Sequence, residues 1–126
     1  MKKTVCVDLD GVLAEYHGWE GPDHFGEPIP GAKAFLRALR TKYEVVILTS
    51  RVNVANGLVS DRSVAVQRVR DWLTKWGFDY DELWIGKGKP IAIAYIDDRA
   101  IKCVPQQNPS AFGAVLRELE LPCLTG

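Results

Sequence analysis

Apolar positions along the chain fall into short blocks with two spacings, and polar or glycine-rich breaks separate them. Residues 4–9 are β-branched and apolar until an acidic pair and Gly11 stop them, the pattern of a buried strand that ends in a loop. Residues 14–30 are rich in Gly, Pro and aromatics and have no period, which predicts a long ordered loop. A helix is predicted over 31–42, with Pro30 near its first turn and Phe35, Leu36 and Leu39 as its inward stripe. A second strand follows over 44–48. The stretch 52–60 lacks a period and contains Asn56-Gly57, after which Asp61 can cap a helix carrying Ala65, Val66, Val69, Trp72, Leu73 and Trp76 on one face. Gly77 is its terminator. Residues 83–85 and 91–96 read as two more short buried strands, and Asn108-Pro109 opens a last helix with Phe112, Val115, Leu116 and Leu119 facing inward.

Strands alternating with helices imply an α/β fold: a three-layer sandwich with a mainly parallel, Rossmann-like sheet, built as a single domain over residues 1–126. In such sheets ligands bind at the carboxyl ends of the strands, where strand order reverses. The first strand ends in Asp8 and Asp10, the second in Thr49, Ser50 and Arg51, and the fourth in Asp97 and Asp98. Three strands thus present polar groups at one edge.

Sixteen basic and sixteen acidic residues cancel, so no broad cationic surface advertises nucleic acid or an anionic membrane, and an anion must be captured locally. The three cysteines, Cys6, Cys103 and Cys123, show neither a metal spacing nor a disulfide framework, which points to reduced thiols in a cytoplasm. Asp8 and Asp10 interrupt the first apolar run, so it is neither a signal-peptide core nor a membrane span. A soluble cytoplasmic protein is expected.

Asp8 and Asp10, two residues apart at a strand end, repel each other unless a cation or a proton intervenes. Asp97-Asp98 adds hard oxygen ligands from the fourth strand, a donor set that suits Mg²⁺. Zinc is not indicated, because His17 and His24 lie apart in a loop and no cysteine stands beside the carboxylates. A calcium loop is excluded as well: Gly11 falls at its fourth position rather than its sixth, and Trp19 stands where the bidentate Glu belongs.

Taken together, Asp8-Leu9-Asp10-Gly11-Val12-Leu13, Thr49 after Val45-Val46-Ile47-Leu48, Lys89-Pro90 and Ile96-Asp97-Asp98 resemble the four motifs of the haloacid dehalogenase-like phosphatases, over residues 4–98. The resemblance implies a Mg²⁺-dependent phosphomonoester hydrolase in which Asp8 attacks phosphorus to form an aspartyl-phosphate and Asp10 is the general acid and base. It implies metal contacts from Asp8, the main-chain carbonyl of Asp10, and Asp98. Thr49 would hydrogen-bond a phosphoryl oxygen, Lys89 would neutralise charge, and Asp97 would hold Lys89 or a metal-bound water from behind. Thr49 and Ser50 can instead be loop hydroxyls, and Lys87 competes with Lys89. Arg51 either forks onto a substrate phosphate or carboxylate or is an exposed structural arginine. His17, His24, Trp19 and Phe25 are candidates for the entrance.

Many relatives carry a cap domain, and this chain has no room for one between its motifs, so it resembles the minimal, capless branch. An open site follows, covered by a large substrate or by a neighbouring subunit of a homo-oligomer, with loops 14–30 and 52–60 as partial lids. Lys102 stands where many relatives have another acid. The competing readings are a phosphatase of nucleic-acid ends or phosphoprotein, which the neutral charge disfavours, and a non-catalytic phosphate-binding module, which would not need an acid/base beside a nucleophile.

Overall fold

The computed structural model describes residues 2–53 and 61–122. In chain order the elements are β1 (Thr4–Val7), α1 (Ala32–Arg40), β2 (Glu44–Ile47), α2 (Arg62–Lys75), β3 (Glu82–Leu83), β4 (Ala94–Ile96) and α3 (Ala111–Glu118), with a 3-10 turn at Ser50–Val52. The strands form a parallel four-stranded sheet in the order β3-β2-β1-β4. The chain therefore steps outward from β1 to β3 and then returns to the other side of β1. This reversal lies between β1 and β4, so a crevice opens at their carboxyl ends. The α/β class and the parallel, Rossmann-like sheet are as the sequence predicts.

Every strand is shorter than its apolar block. β1 ends at Val7 because the chain turns there, although the Asp8 N–H still reaches the Ile96 carbonyl at 2.9 Å and the Leu48 N–H reaches Val7 at 2.9 Å. β4 starts only at Ala94, opposite Val5. Residues 91–93 lie beyond the start of β1, so apart from the Ile93 N–H, which meets Thr4, they have no strand to join, and Ile91 is left 95% exposed. β3 is displaced by one residue from its expected start.

Val5, Val7, Val45 and Ile47 alternate onto one face of the sheet and form a single core with Leu36 of α1 and Val69, Trp72 and Leu73 of α2. Each such aliphatic side chain contributes about 1.5–3 kcal/mol when fully buried. Asp61 caps α2 as expected, accepting the Ser63 N–H at 2.9 Å, and Gly77, with φ of +70°, ends the turn beyond it. Two expected stripes are corrected. In α1 the buried pair is Ala32 and Leu36, one turn apart, which leaves Phe35 on the wet side. In α3 only Ala111 is buried, and Phe112 and Leu119 are more than half exposed. Among the described residues no strand pairs beyond β4, so α3 has no sheet surface there for a full apolar stripe to cover.

The loop after β1 is ordered, as expected, and closed at its neck. Glu15 N–H donates to Glu27 at 2.8 Å, Ile29 N–H to Leu13 at 2.8 Å, and a bridge joins Ala14 to Pro28. Trp72 of α2 pins it further by donating its indole N–H to the Gly26 carbonyl at 3.1 Å. Cys6 is buried and Cys103 exposed, both as free thiols, and Cys123 lies outside the described residues, as does most of the 52–60 stretch.

Candidate active site

At the end of β1 the backbone reverses in a tight turn in which the Leu9 carbonyl accepts the N–H groups of Leu13 at 2.9 Å and Ala14 at 3.0 Å. Gly11 takes φ of +87°, a region that costs a side chain strain. It also makes space: a Cβ there would stand 2.2 Å from Asp98 Oδ2. The turn that presents Asp8 and Asp10 is thus fitted against the carboxylate arriving from β4.

Carboxylate oxygens of Asp8, Asp97 and Asp98 lie within 4.8 Å of one another. Burial pushes the Asp8 carboxyl up to about 7; the Leu9 N–H, donating to it at 2.8 Å, opposes the shift, and the charges of Asp97, Asp98 and Asp10 add to it. Among the described residues no basic side chain comes within ion-pair reach of Asp8. The result is a concentration of negative charge on hard oxygen donors, with no basic side chain among the described residues paired to Asp8, and these acids fit Mg²⁺. The structure changes the place of Asp97. It stands in the cluster with Asp8 and Asp98 instead of behind it, and one of its oxygens accepts the Arg99 N–H at 2.8 Å.

β2 delivers the next three residues. Thr49 is buried, and its hydroxyl oxygen accepts the Arg51 N–H at 3.2 Å, which caps the 3-10 turn and leaves the hydroxyl proton free to donate. Ser50 is exposed and lines the same crevice. Arg51 is neither an exposed arginine nor one presented to the crevice. It is 4% exposed, and its guanidinium forks onto Asp10, with Nε to Oδ2 at 2.7 Å and Nη2 to Oδ1 at 3.0 Å. The same group donates to the His24 carbonyl at 2.7 Å and lies 3.8 Å from the centre of the Phe25 ring and 5.1 Å from that of Trp19.

The crevice encloses about 1020 Å³. Asp8, Asp10, Thr49, Asp97 and Asp98 all line it, and so do both Lys87 and Lys89. The Lys89 ammonium rests 4.1 Å from the centre of the Tyr95 ring and pairs with no acid among the described residues, so it does not hold Asp97 in this arrangement. Of the entrance candidates, Trp19 lines the crevice, Phe25 packs beneath Arg51 and stacks on Trp72 at 6.1 Å, and His24 pairs with Glu20 at 2.8 Å on the exposed side. Sequence reasoning missed Tyr16, Arg62, Trp84 and Arg99, which also line the crevice. Trp84 was within reach, since it follows β3 as Asp8 follows β1, and the strand-end rule applied to all strands includes it.

No protein-family model and no curated protein matches the chain. Solved structures do. A structural-genomics target from Vibrio cholerae is 25% identical, with a TM-score of 0.51, over 92% of this chain and 98% of that one. The fold is shared. The D,D-heptose 1,7-bisphosphate phosphatase from B. bronchiseptica, solved with magnesium and phosphate, is 20% identical with a TM-score of 0.46 over 94% of this chain. The chain spans 64% of that protein's length. A chain of the Pnkp1/Rnl/Hen1 RNA repair complex is 20% identical with a TM-score of 0.47, and 42% of its length is covered. No helix among the described residues is long and apolar enough to cross a membrane.

Proposed function

We propose that this chain is a Mg²⁺-dependent phosphomonoester hydrolase of the haloacid dehalogenase-like type. The observation that carries the reading is the meeting of all four motifs in one crevice, around a half-buried Asp8 beside the unpaired acids Asp97 and Asp98. Asp8 is the nucleophile: one oxygen accepts the Leu9 N–H, which orients the carboxylate, and the other is available to attack phosphorus. As the Asp8 O–P bond forms, the bond to the leaving alcohol breaks, and Asp10 gives that oxygen its proton. In the second displacement Asp10 takes a proton from water as the water attacks phosphorus, which releases phosphate and restores the Asp8 carboxylate. Thr49 donates its hydroxyl proton to a phosphoryl oxygen, and Lys89 or Lys87 swings from the crevice wall to offset charge. Asp8, Asp97 and Asp98 would hold Mg²⁺, with the Asp10 carbonyl as the further contact that the resemblance implies, and the bound ion would screen the carboxylate against the incoming phosphate.

A second reading concerns the substrate. A crevice of about 1020 Å³ exceeds what a phosphate needs, and Tyr16, Trp19 and Trp84 line it with Arg62 and Arg99. This lining favours a phosphorylated nucleic-acid end over a small sugar phosphate, because planar bases stack on aromatic faces.

The test is hydrolysis of an aryl phosphate by wild type, Asp8→Asn and Asp10→Asn, with EDTA and after Mg²⁺ is restored. Turnover that needs Mg²⁺ and both aspartates supports the reading. Full activity in Asp8→Asn or in EDTA overturns it.

A further inference from the structure

Arg51 is the most enclosed charged side chain at the site, with its side chain 5% exposed against 16% for Asp10. Taking both charges out of water costs several kcal/mol, and such a pair is not by itself a source of stability. What the arrangement does provide is direction. Two parallel N–H bonds, from Nε at 2.7 Å and Nη2 at 3.0 Å, fix both side-chain torsions of Asp10, which a single contact does not. The guanidinium is itself immobilised. Phe25 covers one part of it at 3.8 Å, Trp19 lies at 5.1 Å, and the His24 and Pro22 carbonyls accept from it at 2.7 and 3.5 Å. The loop that carries these groups is in turn fastened to α2 through Trp72.

We infer that Arg51 is a positioning residue that aims the Asp10 carboxyl at the leaving-group oxygen, and that the 14–30 loop acts on the chemistry through it. The inference rests on the reading of Asp10 as acid and base. Each Asp10 oxygen accepts one bond from the fork, and the lone pairs left over face the crevice that Asp10 lines. A proton carried there points at a bound substrate; without the fork the carboxyl rotates and the proton is delivered less often. Arg51 itself touches no reacting atom.

Leaving-group dependence separates positioning from general support of the fold. An alkyl phosphate needs its leaving oxygen protonated, whereas p-nitrophenolate departs without a proton. The experiment compares Arg51→Gln with wild type for rapid phosphorylation of Asp8 and for steady-state turnover, using both substrates at saturating Mg²⁺. The expected result is a loss in the rate of Asp8 phosphorylation of about 10- to 100-fold with the alkyl phosphate and less than about threefold with p-nitrophenyl phosphate, while hydrolysis of phosphorylated Asp8, which needs Asp10 as base whichever alcohol has left, slows by the same factor for both. Arg51→Lys, which keeps the charge but not the fork, shows the same pattern and serves in its place if Arg51→Gln does not fold by circular dichroism. In an Asp10→Asn background the Arg51 change costs nothing further. Equal losses in the phosphorylation rate with both substrates, a change confined to KM, full activity in Arg51→Lys, or additive losses in the double variant would each overturn the inference. These outcomes are distinct from failure of the parent reading, which shows instead as wild-type turnover independent of Asp8 or of Mg²⁺.

Discussion

The two sides of β1 are built differently. Toward β2 and β3 the sheet is sealed by α1 and α2, and Leu36, Val45, Ile47, Val69 and Leu73 are fully or almost fully buried. Toward β4 the packing thins: Ile91, Ile93, Phe112 and Leu119 are each more than half exposed. The groups of the candidate site divide along the same line. The sealed side supplies Thr49 and Arg51, both buried, and the thin side supplies Asp97, Asp98 and Lys89, all exposed. Asp8 sits at the seam. On the proposed mechanism, the groups to be aimed stand on the closely packed side, and those that would hold a cation or follow a substrate stand on the loosely packed side.

The seam itself is the most sensitive place to break this division. Asp8→Asn is expected to lower phosphatase kcat by more than about a thousandfold in a steady-state assay. It should also raise the melting temperature of the metal-free protein, because it removes a charge that burial and three neighbouring acids disfavour. Next in size is a contrast between the sides. Leu36→Ala, in the sealed core, should lose about 2–5 kcal/mol of unfolding free energy in urea titrations. Gly11→Ala, which pushes a methyl into Asp98 and sets a side chain at φ of +87°, should raise the Mg²⁺ concentration for half-maximal activity by about tenfold while retaining the fold.

A smaller effect comes from pH. In the unfolded chain Asp8 loses its proton near 3.8, and in the fold at about 7, so within that window the folded protein holds the extra proton. The stabilisation due to Asp8 is therefore present at low pH and is lost as pH rises through about 7. In metal-free protein this amounts to about 1–2 kcal/mol, because the carboxyl is partly wetted. Saturating Mg²⁺ should flatten the dependence, as read from melting temperatures across pH 4–8. The smallest change is expected from Phe112→Ser, at about 0.5 kcal/mol or less, because that ring is mostly in water already.

The sequence was most legible where apolar residues also had partners. β1, β2 and α2 were found from their periods and their caps, since Asp61 and Gly77 end their helix by local chemistry that needs no tertiary information. Ile91, Phe112 and Leu119 were misplaced because an apolar residue announces only a preference for burial, and the sheet stops before it can cover them. At the site the acids were legible because their strand ends converge by topology. The pairing of Arg51 with Asp10 was not, since it depends on a loop folding back to cover a guanidinium with Phe25 and Trp19. Asp97 illustrates the same limit: adjacent residues at a strand end usually diverge, and here the turn stabilised by the Arg99 N–H keeps both acids beside Asp8.

The pairing of Val5 with Ala94 has a consequence for the order in which the protein assembles. β1, β2 and the helix α1 between them join segments close in sequence, whereas β4 must close a loop spanning most of the chain before it meets β1. Asp8 is therefore expected to stand in a folded half before Asp97 and Asp98 arrive. The repulsion among the acids is then expected at the last step, when the sheet is otherwise complete. A divalent cation present during refolding should speed that closing step and leave the earlier ones untouched.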